Sequence, residues 1–158
     1  MPDVPSSRDV ERHVVPAAVE LGVGFVPYSP LGRGFLAGAI RSAADLSAPR
    51  DFRRNMPRFA QGALDANLAV AQVVASMAEQ ADATPAQVAL AWLRQRAETL
   101  GVASVPIPGT RRAARVDENA ASLAVELSAD QLLALEAAGA AVAGDRFVDL
   151  TWVSAGRE

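Results

Sequence analysis

The sequence predicts an α/β fold with two parallel strands and a predominantly helical remainder. Residues 23–28 and 102–107 are short, apolar, β-prone runs. Each ends in a loop rich in glycine, proline and arginine, and each loop leads on to residues with helical periodicity. Strands alternating with helices in this way are the pattern of βα units on a parallel sheet. The 158 residues match a single domain (1–158), yet two strands are too few for a complete parallel sheet and far from the eight that close a βα barrel.

The elements follow in order. Val10, Val14, Ala17, Ala18 and Leu21 fall near helical spacing over 9–21, with Gly22 as a stop and Pro16 predicting a kink or a late start. Residues 23–28 have the composition of a strand buried on both faces. The loop Ser29-Pro30-Leu31-Gly32-Arg33-Gly34 follows. Residues 35–61 show no period and read as a long connection of the lid or binding-loop kind. A helix is predicted over 63–80. Thr84-Pro85-Ala86-Gln87 then supplies an N-cap, a first-turn proline and a capping-box glutamine for a helix to about Arg96. Past the second strand and Pro108-Gly109-Thr110, residues 111–123 read as helix. Ser128 and Gln131 repeat the capping box for a last helix to about Ala141. Residues 144–158 have no period.

Composition excludes several chemistries. The net charge of −3 and pI near 5.2 give no basic face for sequence-independent nucleic-acid binding. No apolar run approaches a membrane span, and the start, Met1-Pro2-Asp3-Val4, carries no secretory signal, so a soluble cytoplasmic chain is expected. All 15 basic residues are arginine, and the chain has neither lysine nor cysteine, which rules out Schiff-base and thiol chemistry. His13 and Tyr28 are the only residues of their types. One imidazole and no thiolate make a zinc site improbable, and no metal is expected. His13 reads as a helix-surface residue, without any nucleophile elbow nearby.

Both loops lie at the C-terminal ends of their expected strands, the functional face of α/β folds. Arg33 in the first loop, and Arg111, Arg112 and Arg115 around the second, can fork onto phosphate oxygens. Glu118 and Asn119 lie three and four residues beyond Arg115 and could read a purine edge. The alternative is that Arg115 and Glu118 pair at the surface while Gly32 and Gly34 only turn the chain. Neither loop is a Walker A or a Rossmann motif.

Five stretches together resemble the aldo/keto reductase family. Gly24-Phe25-Val26-Pro27-Tyr28-Ser29-Pro30-Leu31-Gly32-Arg33-Gly34-Phe35-Leu36-Ala37-Gly38 is similar to that family's seventh strand and loop. Asp51-Phe52-Arg53 with Pro57-Arg58-Phe59 resembles the connection that follows, and residues 84–93 resemble the seventh helix. Val105-Pro106-Ile107-Pro108-Gly109-Thr110-Arg111 with Glu118-Asn119 resembles the eighth strand and the adenosine-phosphate segment. Gly144-Asp145-Arg146-Phe147 is similar to a late Gly-x-Arg-Tyr signature, with Phe147 in place of the tyrosine. The resemblance runs from about Asp9 to Phe147.

The resemblance implies the C-terminal portion of a (β/α)8 barrel that reduces aldehydes and ketones with NADPH. It implies Tyr28 against the nicotinamide ring, and Ser29, Leu31 and Arg33 at the pyrophosphate. Gly109, Thr110, Arg111 and Arg115 would surround the 2′-phosphate, with Glu118 and Asn119 at the adenine. The family's proton and hydride chemistry uses an Asp, Tyr, Lys and His set, and no residue here matches that set. The expectation is therefore NADP(H) binding without catalysis by the chain alone. A complementary N-terminal half-barrel or a second copy would be the partner. The alternative is a non-enzymatic module that associates through exposed apolar faces.

Overall fold

The computed structural model describes residue 8 and residues 10–148. The order is α1 (Val10–Glu20), α2 (Gln61–Gln80), α3 (Pro85–Thr99), α4 (Ala113–Ala121) and α5 (Ala129–Ala140), with short 3-10 turns between α1 and α2 and between α4 and α5. The first and last segments, 1–7 and 149–158, lie outside the described residues, as does the expected helix start at Asp9.

Helix α3 forms the centre. Its run Val88-Ala89-Leu90-Ala91-Trp92-Leu93 is buried on every side, as expected of a helix with neighbours all around. Helix α2 packs along it through Val74 and Ala78, α5 adds Leu135, and Leu127 closes the far edge. Helix α1 contributes Val10 and Val15 to a second cluster with Phe25, Ala97 and Val102. Pro16 lies inside α1, so the helix neither starts late nor ends there.

Side chains fix the helix starts. Thr84 Oγ1 accepts from the Gln87 N–H at 3.3 Å, while Gln87 Oε1 accepts from the Thr84 N–H at 2.8 Å. Ser128 and Gln131 repeat the exchange at 3.3 and 2.9 Å. Each reciprocal pair satisfies two otherwise orphaned donors, and such a cap contributes about 1 kcal/mol.

The expected pair of strands does not form. Among the described residues there is no β-strand, only two isolated parallel bridges, Phe25 to Ser104 and Tyr28 to Ile107. The Phe25 N–H donates to Ala103 at 2.7 Å, Val105 donates to Phe25 at 3.0 Å, and Ile107 donates to Pro27 at 3.2 Å. The next bond of the ladder would come from the N–H of residue 27, and Pro27 has none, so the ladder breaks between the bridges. Nor are these segments buried on both faces: Val26, Val105 and Ile107 are 48%, 67% and 53% exposed.

Residues 35–60 are not an unstructured connection. They form 3-10 turns at Ala43–Leu46, Phe52–Asn55 and Pro57–Phe59, around Ile40, Leu46, Met56, Phe59 and Leu64. The irregular spacing of these apolar residues is why no period was visible.

Two polar devices tie distant parts together. Asn67, 2% exposed on α2, donates through Nδ2 to the carbonyls of Arg58 (3.0 Å) and Ala143 (2.9 Å), and its Oδ1 accepts from the Ala143 N–H at 2.8 Å. Glu11 on α1 takes Arg8 and Arg96 at 2.7 Å each, and Glu136 on α5 approaches the same two arginines at 3.4 and 3.3 Å. Burial alone would push the Glu11 carboxyl up, but the bonds from Arg8 and Arg96 outweigh it and hold the group below its ordinary range.

Replacing Asn67 with alanine leaves three backbone groups unmatched, so N67A should lose about 1–3 kcal/mol, read as a lower urea midpoint with an unchanged slope. The Glu11 carboxyl is more acidic folded than unfolded. Its stabilisation is therefore complete above the ordinary carboxylate range and fades as pH falls through the folded value. Melting curves should show that acid-side loss in the native chain and a smaller one in Glu11→Gln.

Candidate functional site

The two loops expected to bind a ligand do meet. The three backbone bonds between 25–27 and 103–107 bring Ser29–Gly34 beside 107–110, and a cleft of about 500 Å³ opens between them. That size suits part of a small-molecule ligand. The cleft is lined by Tyr28, Ser29, Leu31 and Arg33 from the first loop, Gly109 and Thr110 from the second, and Arg115 and Asn119 from α4. Pro30, Ile107, Pro108 and the buried Ala86 at the start of α3 complete much of the wall.

Two expected residues do not line it. Arg111 is exposed on the approach to α4. Glu118 turns its carboxylate to Arg115, 2.5 Å away, so the surface pairing is formed. This pairing leaves Arg115 in the cleft wall and fixes its direction. The Glu118 carbonyl accepts from Gln87 Nε2 at 3.1 Å, so the side chain that caps α3 also holds α4. Thr110 Oγ1 accepts from the Arg112 N–H at 3.2 Å and shapes the entry to α4. His13 is exposed on α1, away from the cleft.

The first loop is an unusual backbone. Ser29, Gly32, Arg33 and Gly34 have φ of 51°, 56°, 56° and 91°. Positive φ at a residue such as Arg33 costs on the order of 1–3 kcal/mol and persists only where the surroundings enforce it. The enforcing group is Arg53, whose Nη1 donates to the Arg33 carbonyl at 3.0 Å. Arg53 is itself held by Asp51, with Nη2 at 2.6 Å and Nε at 2.9 Å from the carboxylate. The side-chain bonds from Arg53 outweigh desolvation and keep Asp51 below the usual carboxylate range. Sequence reasoning placed Asp51 and Arg53 in a binding loop without this role. The signal was present in the Asp-x-Arg spacing, which is short enough for one side chain to orient the other.

A second support comes from 144–147. Gly144 has φ of +82°, and a Cβ there would lie 2.8 Å from the Pro57 carbonyl oxygen. Only glycine lets this segment pass so close. Arg58 Nε donates to the Gly144 carbonyl at 3.2 Å. The segment then places the Arg146 guanidinium 4.1 Å from the centre of the Tyr28 ring, and Arg146 is 6% exposed. Arg33 lies 5.1 Å over the Phe147 ring. Two guanidiniums and two rings thus join the late segment to the first loop.

Among the described residues no group of histidines and carboxylates could hold a metal, and no helix is long and apolar enough to cross a membrane. The arrangement suits an anionic ligand with a flat ring: guanidiniums and hydroxyls for phosphate, an aromatic face at one end and an amide at the other.

Comparison with known proteins agrees on one family. The model described as "Aldo/keto reductase family" matches residues 3–140. A probable aldo-keto reductase 1 from Glycine max is 41% identical over 126 residues, which cover 80% of this chain and 35% of that protein. A crystal structure of a thermostable aldo-keto reductase with the inhibitor epalrestat superposes with a TM-score of 0.55 at 24% identity. It covers 84% of this chain and 36% of that one, a likeness of fold. The chain thus spans about a third of the length of these relatives.

Arg53→Ala releases the Arg33 carbonyl while leaving the helical core untouched. Losing a charge-assisted bond of this kind should speed amide exchange at Gly34, whose N–H donates to Leu31 at 3.0 Å, by about tenfold or more. Hydrogen-exchange NMR measures this directly, with circular dichroism expected to stay unchanged.

Proposed function

The chain belongs to the aldo/keto reductase family, and on that premise we propose that it is the NADP(H)-binding, C-terminal portion of such an enzyme. The family generally uses a nicotinamide dinucleotide. The observation that carries the reading is the cleft, which gathers an aromatic ring, two arginines, two hydroxyls and an amide from two distant loops and helix α4.

In this reading Tyr28 lies flat against the nicotinamide, and Ser29, Leu31 and Arg33 hold the pyrophosphate. Gly109, Thr110 and Arg115 take the 2′-phosphate, with Arg111 supplying longer-range positive charge from outside the wall. Asn119 reads the adenine edge, and Glu118 acts through Arg115 by fixing its guanidinium. Arginine forks match phosphate geometry, and the pairing with Glu118 limits the side-chain freedom that Arg115 would lose on binding. The bound cofactor would supply a hydride for the reduction of an aldehyde or ketone.

The chain itself would not move the proton. It has no lysine to sit beside a proton-donating tyrosine, and its single tyrosine is committed to the cleft. We assign the remaining chemistry to a complementary aldo/keto reductase segment. The exposed Val26, Val105 and Ile107 offer that segment an apolar face. The same face favours a second reading, association of two copies of this chain.

Titration calorimetry with adenosine 2′,5′-bisphosphate and with ADP tests the cofactor assignment. The 2′-phosphorylated ligand should bind more tightly, and Arg115→Glu should weaken it by about tenfold or more while affecting ADP less. Arg111→Glu, outside the cleft wall, should have the smaller effect. Equal binding of the two ligands by the native chain would sink the assignment to NADP(H).

A further inference from the structure

Two of the cleft residues, Arg115 and Asn119, stand on a helix with little of its own to hold it. Helix α4 runs for 9 residues, buries none of them, and has no side-chain cap at Arg112. Its one large apolar residue, Val116, is 57% exposed. Helices shorter than about 12–15 residues are marginal in water unless packing supports them. The wall that carries Arg115 therefore takes its position from outside α4.

That support is a side chain of α3. Gln87 Nε2 donates to the Glu118 carbonyl at 3.1 Å, and among the described residues no other hydrogen bond joins α4 to another helix. The Glu118 carbonyl lies in the last turn of α4, where the Ser122 N–H turns back to Asn119 instead. It is one of the orphan acceptors that every helix end leaves, and Gln87 fills it. The bond falls at the residue whose carboxylate holds Arg115 and whose chain neighbour is Asn119. The amide is fixed at its other end as well, because Gln87 Oε1 accepts from the Thr84 N–H at 2.8 Å. Ala86, one position earlier on α3, lines the cleft together with Arg115 and Asn119. The bond thus sets the separation between the start of α3 and the α4 wall.

We propose that Gln87, which does not itself line the cleft, is a positioning residue for selectivity towards a 2′-phosphate. Its bond to Glu118 holds Arg115 where a phosphate on the adenosine ribose meets the guanidinium. The proposal rests on the assignment of the 2′-phosphate to Arg115, and deepens it from the group that makes the contact to the group that places it.

The bond to α4 is separable from the cap of α3. Gln87→Glu keeps an acceptor for the Thr84 N–H but sets a second acceptor against the Glu118 carbonyl. Gln87→Met, neutral and of similar length, removes the donor without adding charge. Thr84→Ala deletes the oxygen that accepts from the Gln87 N–H at 3.3 Å and leaves the amide able to reach Glu118.

The test is the ratio of dissociation constants for ADP and adenosine 2′,5′-bisphosphate, measured on the full chain by titration calorimetry. A general loss of stability weakens both ligands and leaves this ratio unmoved. Gln87→Glu and Gln87→Met should each cut the native preference for the bisphosphate by about threefold to tenfold, and Thr84→Ala should keep it. A folded Gln87→Met chain with the native preference overturns the proposal. So does a Thr84→Ala chain whose preference falls as far as in the Gln87 variants. Should Gln87→Met fail to fold, Gln87→Glu decides, with amide exchange in the ligand-free chain as its second readout. Exchange at Asn119 should speed up while the amides of α3 keep their native rates, and native rates at Asn119 overturn the proposal. In all these cases the native preference stands, and the cofactor reading with it. A native chain with no preference overturns the assignment to NADP(H) and this proposal together.

Discussion

Asn67 ties Arg58 and Ala143 to helix α2 through one buried amide, and this fixes the late segment that reaches Tyr28 and Arg33 at the cleft. Ala143 comes 76 positions after Asn67, so closing that loop costs chain entropy that a flexible segment would not repay. The amide spends both its donor hydrogens and its acceptor on backbone groups, which makes burial favourable rather than costly. From that fixed point Gly144 steers the chain past Pro57, and Arg146 and Phe147 arrive against Tyr28 and Arg33. Helix α2 therefore supports the site at a distance, though Asn67 does not line the cleft between the loops.

The same logic of side chains closing distant loops recurs along α3. Gln95 exchanges two bonds with Leu127, donating at 3.0 Å and accepting at 2.9 Å, and Gln87 reaches Glu118. Arg94 donates to the Val125 carbonyl at 2.8 Å. The central helix thus sets the entry of α5 and the pitch of α4 by amides and a guanidinium on its surface, while its apolar faces supply the burial. A cleft wall drawn from α4 then inherits its orientation from α3, which explains why Arg115 and Asn119 face the first loop across a gap in sequence of some eighty residues.

Much of this architecture was legible. The capping boxes at Thr84 and Ser128 mark helix starts because the chemistry is local: two side chains and two N–H groups within four residues. The cleft residues were legible as well, since glycine, proline and arginine cluster in two short loops. The strands were not. Val, Ile and Phe in 23–28 and 102–107 signal β propensity, but a ladder needs donors at alternate positions and Pro27 withholds one between Phe25 and Tyr28. Asn67 left a faint trace, a polar residue in phase with Leu64, Val70 and Val74 on the buried face of α2. Arg146 left none beyond its motif, because its partner Tyr28 lies over a hundred positions earlier and no spacing rule connects them.

The site is therefore held from outside more firmly than from within. Among the described residues three backbone bonds join the segments 25–27 and 103–107 that carry the two loops, and such bonds contribute about 1 kcal/mol each. By contrast the first loop is braced by the Asp51–Arg53 pair and by the Arg146–Tyr28 and Arg33–Phe147 stacks, and the second by Gln87 and Thr110. Each wall is thus braced by side chains, whereas the junction between the walls rests on these backbone bonds. A ligand that reaches both walls, with phosphate at Arg115 and a ring at Tyr28, would bridge that junction and stabilise it through its own length. A short ligand touching one wall would not. The order of the cleft should thus follow ligand span as well as ligand charge, as expected of a site matched to an extended dinucleotide.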